Sequence, residues 1–256
     1  MTQKQFPVVF AGHGSPMNAI ENSRFRDGWR AMGARLGKPD AILAVSAHWP
    51  TRGQRVGAAA QNRQIFDMYG FPRELYEVAY APAGSPALAA RVCALLGEGA
   101  APDESWGVDH GVWSVLCNLY PDADVPVVPL SIDLSRTPRQ LFALGQRLLP
   151  LRQEGVMIFA SGNVVHNLRL VDWDSAGGAP WAERFDAFVR DSILGGRPQD
   201  VLDAARLAPD WAKAVPTPEH FLPLAVALGA AGGDSRPEVW NEGCELGSMS
   251  MTSYLL

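Results

Sequence analysis

The chain has 256 residues, 47% of them hydrophobic and 19% charged, enough to bury the core of one large domain. Lys and Arg number 22 against 27 Asp and Glu, a net charge of −5 with no basic block, which excludes a protein that tracks nucleic-acid phosphates. No apolar run approaches the ~20 residues of a membrane span, and the opening MTQKQFPVVF is too weakly basic and too short in its apolar part for a secretory leader, so a cytoplasmic protein is expected.

Taken along the chain, short apolar runs alternate with segments of helical period, the pattern of an α/β sheet protein. Strands are expected over 6–11 (FPVVFA), 41–46 (AILAVS), 125–132 (VPVVPLSI), 156–160 (VMIFA) and 247–256 (GSMSMTSYLL). The third carries Pro126 and Pro129, which predicts an edge position or a bulge, because proline donates nothing to a ladder. Helices are expected over 24–36, 86–96, 138–149, 182–194, 201–208 and 221–231, two of them opened by Ser85-Pro86 and Thr137-Pro138 caps. Gly-Gly pairs at 177, 195 and 232 mark turns, and no repeat or compositional break divides the chain, so 1–256 is read as one domain. Residues 61–84, polar and aromatic, are too irregular for a clean element and are a candidate substrate wall. Cys93, Cys117 and Cys244 fit neither a disulfide framework nor a CxxC metal site and are read as buried thiols in a reducing compartment.

Five histidines hold the chemistry: His13, His48, His110, His166 and His220. The first two follow predicted strands by two residues, and His166 follows the strand VMIFA after SGNVV. In an open α/β sheet ligands gather beyond the carboxyl ends of the strands, so three exits would deliver imidazoles to one rim, as a metal centre requires. Any one of them alone reads as an ordinary packed imidazole; it is the joint pattern, with small neighbours around His13, that points to a site. Other chemistries lack their signatures: GHGSP is not a GxSxG elbow, Met17 stands where a dinucleotide fingerprint needs glycine, and neither a GxxxxGK[ST] loop nor HExxH is present.

The strings GHGSPMNAI, SAHW, YGFPRELYEVAYAPAGSP, WGVDHGVWSVL, ASGNVVHNL and PEHFLPL, in order and spanning nearly the whole chain, resemble the DODA-type extradiol aromatic ring-opening dioxygenases of the class III, LigB-type superfamily. The resemblance implies a single α/β domain, a mixed central sheet flanked by helices on both faces, and a mononuclear non-haem metal: Fe(II) for ring cleavage, with Zn(II) as a second occupant. By motif, His13, His48 and His220 become metal ligands, and His166 either a fourth ligand or an acid/base. His110 joins it as a catalytic candidate on the substrate side. Glu219 is the competing carboxylate at the third position, and the all-imidazole alternative suits zinc as well as iron. Ser15, Tyr69, Arg73 and Tyr80 are substrate-binding candidates, with Asn18 beside them. The implied reaction joins O2 to a small catechol, DOPA-like or another diol, to give a muconic semialdehyde. Two alternatives stay open: a zinc-dependent hydrolase on the same histidines, and a non-catalytic scaffold protein of the same superfamily. The oligomeric state is open as well.

Overall fold

A computed structural model describes residues 5–233 and 235–256. In chain order its strands are β1 (Val8–Gly12), β2 (Ala41–Thr51), β3 (Gln54–Gly57), β4 (Ala100–Asp103), β5 (Val127–Asp133), β6 (Val156–Gly162), β7 (Glu238–Trp240), β8 (Cys244–Glu245), β9 (Met249–Ser250) and β10 (Ser253–Leu255). Among the described residues eight of these form one sheet in the order β4-β3-β5-β2-β6-β1-β10-β7. The central β5, β2, β6 and β1 run parallel, while β10 lies antiparallel to β1 and β3 antiparallel to β5. The sheet is therefore mixed, as expected.

Alternation along each buried strand sends side chains to two cores. Leu43 and Val45 pack with helices 86–96, 138–148, 180–194 and 222–231 on one face. Ile42 and Ala44 pack with helices 24–36 and 110–119 on the other. The helix starts are the ones that the hydroxyl residues announce. Ser23 Oγ accepts from Arg26 N at 3.1 Å, Ser85 Oγ accepts from Leu88 N at 3.2 Å, and Thr137 with Gln140 forms a capping box. Among the described residues no helix is long and apolar enough to cross a membrane.

Four expectations need correction. Residues 125–132 do not form an edge: β5 lies inside the sheet between β3 and β2. The backbone of Val127 donates away from β2, to Ala83 O at 2.8 Å, and strand alternation points the Pro129 nitrogen to that same side, where β3 pairs at a single position, Val56 with Leu130. Gly57 leaves room there, since a Cβ on it would stand 2.6 Å from Pro129 Cδ. The closing segment is not one strand but two, β9 paired with β8 in a small separate ribbon and β10 in the main sheet. The helix expected over 201–208 is two short ones, Pro198–Leu202 and Ala204–Leu207. Finally, β2 does not stop before His48 but runs to Thr51, with its register against β5 shifting between Val45 and Pro50. That irregularity turns His48 out of the ladder, a common use of bulges beside sites.

Candidate metal centre

His13 leaves the end of β1, with its N–H held by Gly162 O at the end of β6. His48 sits in the irregular stretch of β2. His220 lies in the turn before the helix Leu222–Ala231, and its carbonyl accepts from Asn163 N at 2.9 Å, which ties that turn to the exit of β6. Gly162 permits this approach, since a Cβ there would stand 2.2 Å from His220 O. His110 is the first residue of the helix His110–Leu119. Segments distant in sequence thus meet at one rim.

His48 Nε2 lies 3.2 Å from His13 Nε2 and 3.3 Å from His220 Nε2. The other nitrogen of each ring is engaged with an oxygen. His13 Nδ1 is 2.9 Å from Ser161 Oγ, whose own proton goes to Gly111 O, so the imidazole is the donor. His48 Nδ1 meets Asp67 Oδ2 at 3.1 Å, and His220 Nδ1 meets Glu219 Oε1 at 3.2 Å. With Nδ1 protonated in all three, three bare Nε2 lone pairs face one another, an arrangement that only a shared cation or proton relieves. Donors at about 2.0–2.1 Å from one cation stand about 2.9–3.4 Å apart, so both spacings, His48 to His13 and His48 to His220, are those of imidazoles able to share a cation. Each ligand candidate also has the oxygen partner that orients metal-binding imidazoles in general.

Electrostatics in the metal-free protein favour neutral rings. Burial, reinforced by the surrounding imidazoles, holds His13 well below the ordinary 6.5. Burial brings His220 down to about 4 against the pull of Glu219, and His166 down to about 2. His48 is the exception: burial would lower it, but the hydrogen bond and charge of Asp67 together with Asp109 raise it. Asp67 itself, although burial opposes its charge, is held well below the usual carboxylate range by hydrogen bonds from His110 and His48. Burial likewise opposes the charge on Glu219, and hydrogen bonds from His220 and Thr217 take it to about 2.

The remaining predicted residues fall in different places. His166 stacks on His220 with ring centroids 3.6 Å apart and planes 6° from parallel. His110 lies 4.0 Å from the His48 ring, its Nδ1 bonded to Asp67 Oδ1 at 3.0 Å. Nitrogens of His13, His48 and His110 all lie within 4.8 Å of one another, and so do ligand atoms of His166, Glu219 and His220. Asp109 makes no bond to the neighbouring His110 ring and accepts from Ser46 Oγ and Trp106 Nε1 instead. Glu219, by contrast, does serve its own neighbour.

Among the substrate-binding candidates, Tyr80 is corrected: it is 2% exposed and its hydroxyl donates to Tyr120 O at 3.1 Å, so it is a core residue. Asn18 is likewise buried, bonded to Ser15 O and Ser23 Oγ. Ser15 caps the short helix Pro16–Ala19, Arg73 pairs with Glu77 at the surface, and Tyr69 is 92% exposed. The residues that the sequence reading missed are Asp67 and Ser161. Asp67 carried one faint signal, as the sole acid amid the aromatic string IFDMYGF.

Residues 8–256 match the family described as the catalytic LigB subunit of aromatic ring-opening dioxygenase. The chain is 43% identical over 262 residues to a 4,5-DOPA dioxygenase extradiol of Escherichia coli (strain K12), covering 99% of this chain and 95% of that protein. It is 41% identical to a 4,5-DOPA dioxygenase extradiol of Beta vulgaris, covering 96% and 95% respectively. The crystal structure of an uncharacterized protein from Escherichia coli K12 aligns with a TM-score of 0.83 at 42% identity, over 97% of this chain and 98% of that one. With a match running from the first strand to the last residue, the chain belongs to the LigB family of aromatic ring-opening dioxygenases.

Proposed function

We propose that the chain, acting as one catalytic domain, is an extradiol dioxygenase that opens the ring of a DOPA-like catechol with O2, yielding a muconic semialdehyde, at a divalent metal held by His13, His48 and His220. The observation that carries the assignment is the convergence of three Nε2 atoms, with neighbours 3.2 and 3.3 Å apart, while every Nδ1 is engaged elsewhere. When bound, the cation supplies Lewis acidity that lowers the pKa of a catechol hydroxyl and, as Fe(II), the redox capacity that O2 chemistry needs. Fe(II) is the working metal in this reading, and zinc can occupy the same imidazoles without that capacity.

The protein's own groups handle the protons. His110 donates Nδ1–H to Asp67 and keeps its other nitrogen as an open acceptor, on a ring 4.0 Å from that of His48 and 5.8 Å from that of His13, suited to take a hydroxyl proton from a catechol. His166 is assigned to acid/base work rather than to a fourth ligand position. Its ring lies parallel to His220 at 3.6 Å, so the two rings' lone pairs run side by side instead of meeting at one point. Burial keeps it neutral and a weak base in the free protein, and the negative charge of a bound catecholate is what would raise its proton affinity. The hydrolase reading is weaker, because Glu219, the motif carboxylate that would serve as its base, is already occupied by His220 Nδ1 and by Thr217 Oγ1 at 2.7 Å. Three free cysteines suit the reducing cytoplasm.

The test is to load the metal-free protein anaerobically with Fe(II) or Zn(II), add a panel of catechols including DOPA, and admit oxygen. Iron-dependent yellow product with stoichiometric oxygen uptake is expected. Hydrolysis of esters or amides by the zinc form, with no uptake by the iron form, would reverse the reading.

A further inference from the structure

Asp67 is the one carboxylate in the site whose two oxygens serve two different histidines. Oδ2 lies 3.1 Å from His48 Nδ1 in an ion-pair contact, and Oδ1 accepts from His110 Nδ1 at 3.0 Å. Oδ1 also takes the backbone N–H of His110 at 3.0 Å. That last bond replaces the cap which Asp109, the residue before the helix, does not provide, so Asp67 is fixed at a helix N-terminus that favours its charge. Its segment is stitched alongside residues 106–110 by Ile65 N to Val108 O and Val108 N to Arg63 O, each 2.8 Å, and Trp113 Nε1 holds Ile65 O at 2.9 Å. The carboxylate has little freedom to choose other partners.

We infer that Asp67 is a positioning residue that fixes the tautomer and orientation of His48 and His110 together. An ionised carboxylate only accepts, so both imidazoles must present Nδ1–H to it, and both Nε2 lone pairs are thereby turned away from it. One of these lone pairs is the ligand atom and the other the proton acceptor of the proposed reaction, so the inference rests on that assignment. The ligand and the base are set by a single group, and a displacement of Asp67 disturbs both at once. An amide at this position would behave differently. Its oxygen can accept from one ring, but its NH2 faces the other and demands an Nδ1 lone pair, which forces that ring into the Nε2–H form.

The test begins with the metal-free wild-type protein, labelled with 15N in histidine and observed by long-range 1H–15N NMR. Both His48 and His110 are expected as Nδ1–H tautomers; an Nε2–H form of either one overturns the inference without any variant. In Asp67→Asn one of the two is expected to switch, and affinity for Zn(II), read by competition with a chelating dye, to fall ~10–100-fold, the usual cost of removing a ligand's hydrogen-bond partner. Asp67→Glu, which restores a carboxylate, is expected to recover the tautomers in part. Circular dichroism checks that each variant is folded. Unchanged tautomers and metal affinity within twofold of wild type in folded Asp67→Asn would overturn the proposal. Because the NMR experiment involves neither metal nor catechol, its outcome is separate from whether the protein cleaves rings.

Discussion

At the scale of single residues, the site depends on what is missing as well as on what is present. Gly111 is the second residue of the helix His110–Leu119, and a Cβ added there would stand 2.8 Å from His48 Cδ2 and 3.3 Å from His13 Cε1. Gly111→Ala therefore pushes on two of the three candidate ligand rings while giving the helix a residue that it prefers by up to ~1 kcal/mol. The two effects have opposite signs and are measured separately. Thermal unfolding of the metal-free protein should hold or rise slightly, while Zn(II) affinity should drop on the order of tenfold. Equal loss in both would mean that the glycine serves packing alone. Histidines were legible in the sequence because imidazoles are rare and four of the five stand near a strand exit or a glycine, while His220 was marked only by the PEHFLPL string. Asp67 was not, because an acid in an irregular segment looks the same whether it faces water or a pair of imidazoles. Tyr80 was misread for the converse reason: aromatic clustering in a string does not show which ring turns inward to bond Tyr120 O.

At the scale of elements, the helix Leu222–Ala231 is buried at every residue and follows His220 directly, so its seating decides where that imidazole lies. It is seated by close approach to the helix Pro138–Leu148. A Cβ on Gly229 would stand 2.0 Å from Phe142 O, and one on Gly145 would stand 2.2 Å from Val226 O, so each helix offers a glycine to the other's carbonyl. Gly229→Ala gains ~1 kcal/mol of helix propensity but overpacks a backbone-to-backbone contact, which typically costs ~1–3 kcal/mol or more where nothing flexible can yield. The overlap wins, and urea unfolding of the metal-free variant should show a lower midpoint with an unchanged slope. A midpoint at or above wild type would show that the helices can part without cost. Elements with local signals were legible: the hydroxyl caps at Ser85 and Thr137 begin helices where the sequence places them. Elements whose identity depends on distant partners were not. Pro129 is tolerated inside the sheet only because β3 leaves that side of β5 nearly unpaired, and the break between β9 and β10 follows from their having different partners.

At the scale of the whole molecule, gathering neutral imidazoles in one buried place makes stability depend on pH. His13, His166 and His220 are depressed in the folded metal-free protein, chiefly by burial, with His220 near 4 and His166 near 2 against an ordinary 6.5. Between 6.5 and these lower values the unfolded chain binds protons that the folded chain refuses, so acid favours unfolding, by ~1.4 kcal/mol per pH unit for each fully titrating group. His48 acts in the opposite sense, because its raised value adds stability that is present in acid and lost as pH rises through the folded pKa. That contribution is already complete below about pH 6.5, where His48 is protonated in both states, so it offsets nothing as the pH falls further. The three depressed rings therefore act unopposed, and stability is lost throughout the fall from about pH 6 to about pH 4. The carboxylates of Asp67 and Glu219, held low in the fold, add their own loss only below about pH 4.5, at the acid end of that window. Metal changes the form of this curve, because a bound cation competes with protons for the same nitrogens and stabilises the fold until they displace it. Urea titrations of the metal-free protein at pH 7 and pH 5 should therefore show a marked fall in unfolding free energy, and the zinc-loaded protein a smaller fall at first followed by a steeper one. A metal-free curve that is flat from pH 7 to 5 would mean that the histidines are solvated as ordinary surface groups, and the converging lone pairs on which the centre depends would have lost their physical basis.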